Sequence, residues 1–88
     1  MEHQFIIPYA VVTCTNDQVG EVFGEKLSIA AHTIESVVKR DRRTGRMFKT
    51  FIVHVHPSRE SAHLATYIEQ CGHTEVVYSA PYFWKIKI

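Results

Sequence analysis

The feature that most constrains this chain is the way the spacing of its apolar residues changes from segment to segment. The clearest segment is 47–56. In it Phe51, Val53 and Val55 alternate with Thr50, Ile52 and His54. Such alternation is typical of a strand with one buried face and one open face. The residues of the other parity are then expected to face away from the core; they are Phe48, Thr50, Ile52, His54 and His56.

Two segments show helical spacing instead. Thr15 offers a helix cap with Gln18 as its capping-box partner, and apolar residues at helical spacing follow as far as Leu27. A second helix is expected to begin at Pro57-Ser58 and to end at Gly72. Strands are predicted at 5–12, 33–39, 47–56 and 82–88, with a short extended piece at 76–78.

The resulting order, β-α-β-β-α-β, predicts an α+β fold of the ferredoxin-like split βαβ type. This fold has a four-stranded antiparallel sheet with two helices on one face, which leaves the other face open. With 88 residues, the chain is expected to form a single domain over residues 1–88. Functional residues in such a domain are expected on the open face or on the loops around it.

Composition excludes a disordered chain, a collagen-like chain and a membrane-spanning segment. The chain is 45% hydrophobic and 22% charged, which is ordinary for a globular domain. Its apolar run Phe5-Ile6-Ile7 is far too short to span a membrane, and the first residues show no basic leader, so we expect a soluble intracellular protein. The two cysteines, Cys14 and Cys71, are expected to be reduced and partly buried, although a bridge between them stays open as an alternative.

The positive charge of the chain is concentrated in one segment. The formal net charge is only +1, yet six of the ten basic residues lie between positions 39 and 49. They are Lys39, Arg40, Arg42, Arg43, Arg46 and Lys49, and the only acid among them is Asp41. Asp41 and Gly45 mark a turn between the second and third strands, so we expect these arginines on a projecting loop.

The run Arg40-Asp41-Arg42-Arg43-Thr44-Gly45-Arg46 resembles the β2–β3 connection of RNA-recognition-motif (RRM) domains, in which R-D-x-x-T-G-R leads into an octamer motif. Here the octamer position is Phe48–Val55 and the hexamer position is Phe5–Ala10. The resemblance implies an RRM-like βαββαβ fold over nearly the whole chain. It also implies single-stranded nucleic acid as the partner, because RRM sheets stack bases on aromatic rings.

The sequence departs from the RRM pattern at the positions that normally stack bases. Where RRM octamers and hexamers carry aromatic rings, this chain has Thr50, Ile52 and Ile6. Each ring would contribute roughly 1–3 kcal/mol per base. The standard platform is therefore absent, and other residues must bind, or the face must serve another purpose.

A second resemblance is to short RRM-like proteins of large DNA viruses. It rests on the ending Val76-Val77-Tyr78-Ser79-Ala80-Pro81-Tyr82-Phe83-Trp84-Lys85, together with Phe48-Lys49 and His54 on the third strand. These viral proteins recur with a P-[WY]-[FY]-W-K ending. The resemblance implies a viral protein in the host cytoplasm or nucleus.

Residues that could replace the missing platform are predicted from the alternation of the last strand. Trp84, Ile86 and Ile88 form an apolar row, whereas burying Lys85 and Lys87 would cost several kcal/mol. A bulge after Pro81 would invert this assignment and place Tyr82 and Trp84 on the open face. The predicted nucleic-acid-binding residues are Ile6, Arg40, Arg42, Arg43, Arg46, Phe48, Thr50, Ile52, His54, Phe83, Lys85 and Lys87.

We therefore expect a module that binds single-stranded RNA or DNA on its open face, without enzymatic activity and without a cofactor. The alternative is a protein-binding adaptor or self-associating module, because Ile6, Phe48 and Ile52 would also make an apolar patch on that face.

Two more remote alternatives rest on histidine and cysteine. His54-Val55-His56 resembles the metal motif of rolling-circle-type endonucleases, with Tyr67 on the next helix as the nucleophile and His3 as a possible third ligand. Cys71 and His73 could also hold a metal with Cys14 or His32, but the paired C-x₂₋₄-C spacing of zinc sites is missing.

Overall fold

The computed structural model describes residues 3–88 of the chain; residues 1 and 2, which belong to the segment predicted to lack a basic leader, lie outside this range. Five strands and two helices alternate along it. They are β1 (His3–Ala10), α1 (Asn16–Leu27), β2 (Ala31–Arg40), β3 (Met47–Val55), α2 (Arg59–Cys71), β4 (Thr74–Ser79) and β5 (Tyr82–Ile86). The predicted mixed α+β composition with two helices and antiparallel sheets is confirmed.

The prediction of one four-stranded sheet is wrong. β1, β3 and β2 form a three-stranded antiparallel sheet in that order, and β4 and β5 form a separate two-stranded antiparallel sheet. Within residues 3–88, one bridge joins the two sheets: Ile6 and Lys87 exchange main-chain hydrogen bonds of 2.7 and 2.8 Å. The short extended piece predicted at 76–78 is a full strand, β4, which pairs with β5.

Pro8 gives a physical reason for the break between the sheets. Because hydrogen-bonding direction alternates along a strand, Pro8 is the next residue after Ile6 that a regular ladder would pair with β5. Its carbonyl instead accepts the Thr50 hydroxyl of β3 at 2.9 Å. Proline has no N–H to donate to a ladder. The register of β1 on β3 also shifts between Ile7 and Ala10. Pairing between β1 and β5 therefore stops after one bridge.

Both helices begin at the predicted caps. The Thr15 hydroxyl accepts a bond from the Gln18 main-chain N–H at 3.2 Å, and the Gln18 side chain accepts one from the Thr15 N–H at 2.9 Å. Ser58 caps α2 with the same reciprocal pattern, here with Ser61. Gly72 ends α2 with φ of +89°, a conformation that a Cβ would strain.

One core lies between the three-stranded sheet and the helices. The sheet contributes Phe5 and Ile7 of β1 and the predicted row of β3: Phe51, Val53 and Val55. Val19, Phe23 and Ile68 of the helices and Trp84 and Ile86 of β5 belong to the same buried cluster. We call this side of the sheets the covered face and the opposite side the open face.

Within residues 3–88, neither helix has the length and the apolar composition that a membrane crossing requires.

Candidate functional site on the open face

The register of the strands determines which residues share the open face. Ile6 lies opposite Ile52, and Lys39 of β2 lies opposite Phe48 of β3. Because side chains of directly paired residues point to the same side, each row of the open face crosses the sheet through such pairs. The predicted facing of Phe48, Ile52 and His54 follows, since their neighbours Phe51, Val53 and Val55 are completely buried on the other side.

Two aromatic rings are stacked on the open face at the end of β1. Tyr9 and Phe48 lie face to face, with ring centroids 4.2 Å apart and an interplanar angle of 13°. Tyr9 is 55% exposed, and Phe48 is half-buried. The register shift after Ile7 lets both Tyr9 and Ala10 deviate from strict alternation, so that Ala10 is buried while Tyr9 is exposed.

The last strand, β5, presents the predicted residues to the open face. Trp84 and Ile86 are buried, whereas Phe83, Lys85 and Lys87 are exposed. Because β5 runs antiparallel to β1 at the Ile6–Lys87 bridge, Phe83 lies towards the same end of the face as Tyr9. The inverted alternation, with Trp84 on the open face, is therefore wrong.

The arginine-rich loop projects from that same end. Asp41 organises it: its Oδ1 accepts the Arg43 N–H at 2.8 Å, and its main-chain carbonyl accepts the Gly45 N–H at 2.7 Å. Gly45 has φ of +74°, as the turn prediction requires. The side chains of Arg42, Arg43 and Arg46 are exposed, and within residues 3–88 no carboxylate lies within 4.0 Å of them. Arg40 is exposed at the end of β2.

Two of the predicted contact residues use their polar atoms inside the sheet. Thr50 is nearly buried, and its hydroxyl donates to the Pro8 carbonyl at 2.9 Å. His54 Nε2 lies 2.7 Å from Glu35 Oε2 at the opposite end of the face from the loop. Thr50 and His54 thus sit on the predicted face, but these contacts hold the strands together.

Acidic residues limit the positive field of the face. Glu75 of β4 lies directly opposite Lys85 of β5, and its carboxylate is also 3.9 Å from His73. Glu35 adds a second carboxylate at the His54 end. Positive charge is therefore concentrated at the end with the loop and the aromatic rings.

The residues of the nuclease alternative are spread over different sides of the molecule. His54 contacts Glu35 on the open face, and the His56 ring meets the His32 ring edge-on at 4.6 Å between centroids. Nδ1 of His3 lies 2.8 Å from the Ser61 hydroxyl. Tyr67 lies on α2, which packs on the covered side. The structure does not bring His54 and Tyr67 together.

The residues of the other metal alternative are also separated. Cys14 is buried among core residues, whereas Cys71 is exposed at the end of α2; both thiols are free. Across residues 3–88, no three His, Cys, Asp or Glu side chains form a group that could hold a metal ion.

Cys14 lies on the covered side with an unusual set of neighbours. The Lys49 ammonium donates to the Cys14 carbonyl at 2.7 Å, so this lysine of β3 faces the core side and not the open face. Burial raises the pKa of the Cys14 thiol, although the Lys49 charge and the nearby Trp84 indole act in the opposite direction. Trp84 Nε1 itself reaches no acceptor in hydrogen-bonding geometry among residues 3–88.

Among the open-face residues that were not predicted are Tyr9, Lys39 and Val77. Tyr9 was missed because its facing depends on the bulge, although Pro8 was a signal for an irregularity there. Lys39 opposite Phe48, and Val77 opposite Phe83, follow only from the observed pairing. Together with Phe48 and Phe83, Tyr9 supplies the exposed aromatic surface that the RRM positions lack.

Comparison with known proteins finds no family model, no curated protein and no solved structure that matches this chain.

Proposed function

We propose that this chain is an RRM-like domain that binds single-stranded nucleic acid on its open face. For the fold, β1 lies between β3 on one side and the last strand, β5, on the other, which it meets through the Ile6–Lys87 bridge. This neighbourhood supports a split βαβ arrangement in which β4 is an additional strand that pairs outside β5.

The observation that carries the function is the aromatic and basic end of the open face. The stacked rings of Tyr9 and Phe48 lie at the base of the arginine loop, and the exposed ring of Phe83 lies towards the same end. Rings bind bases of any sequence through stacking, and cations bind the phosphates between them. A stacked aromatic pair beside exposed arginines combines the two kinds of contact that single-stranded nucleic acid offers, base stacking and phosphate binding.

Roles follow from the chemistry of each residue. A base can stack on the outer surface of the Tyr9–Phe48 pair, and a second base can stack on Phe83. Arg42, Arg43 and Arg46 on the loop and Lys39, Lys85 and Lys87 on the strands would neutralise phosphates. Since phosphate contacts contain no base information, binding should tolerate different sequences. It should be weak, and it should depend on salt because cations neutralise the phosphates.

The second candidate function is protein binding on the same face. Its support is the apolar content: Ile6, Ile52 and the half-exposed Val77 lie between and beside the lysines. Ile52→Asp would abolish such an interaction while changing nucleic-acid binding at the aromatic end much less.

The test is a fluorescence-anisotropy titration with labelled single-stranded RNA and DNA at about 20 mM and about 150 mM salt. Arg42→Glu with Arg43→Glu should weaken binding to every sequence alike and reduce its salt dependence. The matched control is Lys26→Glu with Arg59→Glu, which makes the same change of net charge on the two helices. Equal affinity of the loop variant and the control would refute the proposal.

A further inference from the structure

The outer edge of β2 is open. β2 is the last strand of the three-stranded sheet, and within residues 3–88 no strand pairs with its outer side. Val37 and Val38, in its second half, are 48% and 51% exposed. Edge strands present unpaired N–H and C=O groups, and proteins usually protect them with proline, bulges, charged side chains or a covering segment. Residues 36–38 contain neither proline nor a charged side chain, and their register on β3 shows no bulge.

The direction of the free main-chain groups follows from two observed bonds. The Asp41 N–H donates to the Arg46 carbonyl across the hairpin, so Asp41 points inwards towards β3. The Ile34 carbonyl accepts the Asn16 side chain at 3.1 Å, so Ile34 points outwards. Because direction alternates along a strand, Ser36 and Val38 also point outwards. Within the described part of the chain, no hydrogen bond occupies the outward N–H and C=O groups of Ser36 and Val38, whereas the carbonyl of Ile34 accepts the Asn16 side chain.

We propose that two copies of this chain associate through this edge, with their β2 strands antiparallel and Val37 opposite Val37 of the second copy. In this register, Ser36 of each copy pairs with Val38 of the other. Both are outward-pointing residues, so each such pair exchanges both main-chain hydrogen bonds.

Charge selects this register. Glu35 and Lys39 each lie two residues from the central Val37, so Glu35 of each copy lies opposite Lys39 of the other. Both side chains are on the open face. Opposite charges on directly paired residues stabilise a sheet, and like charges destabilise it. Glu35 is 59% exposed, and its bond to His54 uses only Oε2. Shifting the centre by one residue to Ser36 places Glu35 opposite Val37 and Lys39 opposite Thr33, and both complementary pairs are lost.

The geometry also places both open faces on the same side. In an antiparallel pair related by a two-fold axis perpendicular to the sheet, residues on one face of the first strand continue on the same face of the second. Two copies would thus form one extended sheet. The contact is short, so association should be weak and should depend on concentration.

The test is sedimentation equilibrium of the wild type up to millimolar concentration. Glu35→Lys and Lys39→Glu should each weaken self-association roughly tenfold or more, because each places like charges opposite each other twice. Mixing the two variants should restore association, because every Glu–Lys pair is then complementary again. Glu69→Lys on α2 is the matched control for charge and should behave as wild type.

A backbone variant tests the same edge independently of charge. Ser36→Pro removes an outward N–H without removing a bond to β3, and proline is tolerated on an edge strand in that position. It should abolish association, and Ser36→Ala should not. A wild type that stays monomeric at millimolar concentration overturns the proposal. So does a dimer that persists in Ser36→Pro, or a mixture of the two charge variants that fails to associate.

Discussion

Two phenylalanines of β3 lie three residues apart and face opposite sides of the sheet. Phe51, on the covered face, is fully buried among core residues of both helices. Phe48, on the open face, is half-buried, and its ring stacks on the exposed ring of Tyr9. The same side chain on the same strand is thus held by the core on one face and available to a ligand on the other. We expect substitutions on the two faces to separate stability from binding.

The largest expected effect is on the covered face. Phe51→Ala should lower the free energy of unfolding by about 3–5 kcal/mol, since it removes buried apolar surface and leaves a cavity. Phe48→Ala should cost less than Phe51→Ala, because its ring is only half-buried; the lost pair with Tyr9 accounts for about 0.5–1.5 kcal/mol beyond the lost burial. Urea unfolding followed by Trp84 fluorescence measures both.

A small domain can fail to fold after the larger loss. Phe51→Leu, which retains most of the buried volume, keeps the comparison measurable in that case and should destabilise less than Phe51→Ala but more than Phe48→Leu. Equal losses for Phe51→Leu and Phe48→Leu would contradict the difference between the faces.

The second effect concerns binding of nucleic acid, and it should be large for substitutions on the open face. Tyr9→Ala and Phe48→Ala should each weaken binding of single-stranded nucleic acid by about 5- to 150-fold, the equivalent of about 1–3 kcal/mol for a stacked base. The two losses should not add, because removing either ring destroys the same stacked pair. Anisotropy titrations of the single and double variants measure this.

The matched control is Tyr67→Ala, which removes an exposed tyrosine from α2 on the covered side. It should leave affinity unchanged. If Tyr67→Ala and Tyr9→Ala weaken binding equally, the open face is not the binding surface.

The covered face could be predicted from the sequence because the spacing of apolar residues along a strand shows which of its sides is buried. The alternation of β3 identified Phe51, Val53 and Val55, and the cost of burying lysine oriented β5 correctly around Trp84. Capping residues located the start of each helix for a similar reason, since Thr15 and Ser58 satisfy N–H groups that are local in sequence.

Strand pairing could not be predicted in the same way, because it depends on contacts between distant segments. Pro8 indicated an irregularity in β1, but not that the pairing with β5 would shrink to the bridge at Ile6. The same irregularity exposes Tyr9, which periodicity alone could not place. The apolar piece at 76–78 was too short to identify β4 without its partner.

The smallest expected effect extends the comparison to the two thiols. Cys14 lies on the covered side and Cys71 is exposed at the end of α2. A thiol-specific reagent at pH about 8 should therefore modify Cys71 at least roughly tenfold faster than Cys14, since the thiolate is the reacting species and burial disfavours it. Mass spectrometry of the labelled peptides gives both rates, and in denaturant the two should become similar.

The same burial predicts how stability changes at high pH. Because burial raises the pKa of the Cys14 thiol, the unfolded chain releases this proton at a lower pH than the folded chain does. The contribution to stability is therefore complete below the pKa of the unfolded thiol and decreases as pH rises through the folded value. Tyr78, whose pKa burial also raises, adds a similar decrease at higher pH. Cys14→Val should remove the first of these decreases, and Cys71→Val should leave it unchanged. If Cys14→Val and the wild type lose stability in parallel above pH about 9, burial of this thiol does not control the pH dependence.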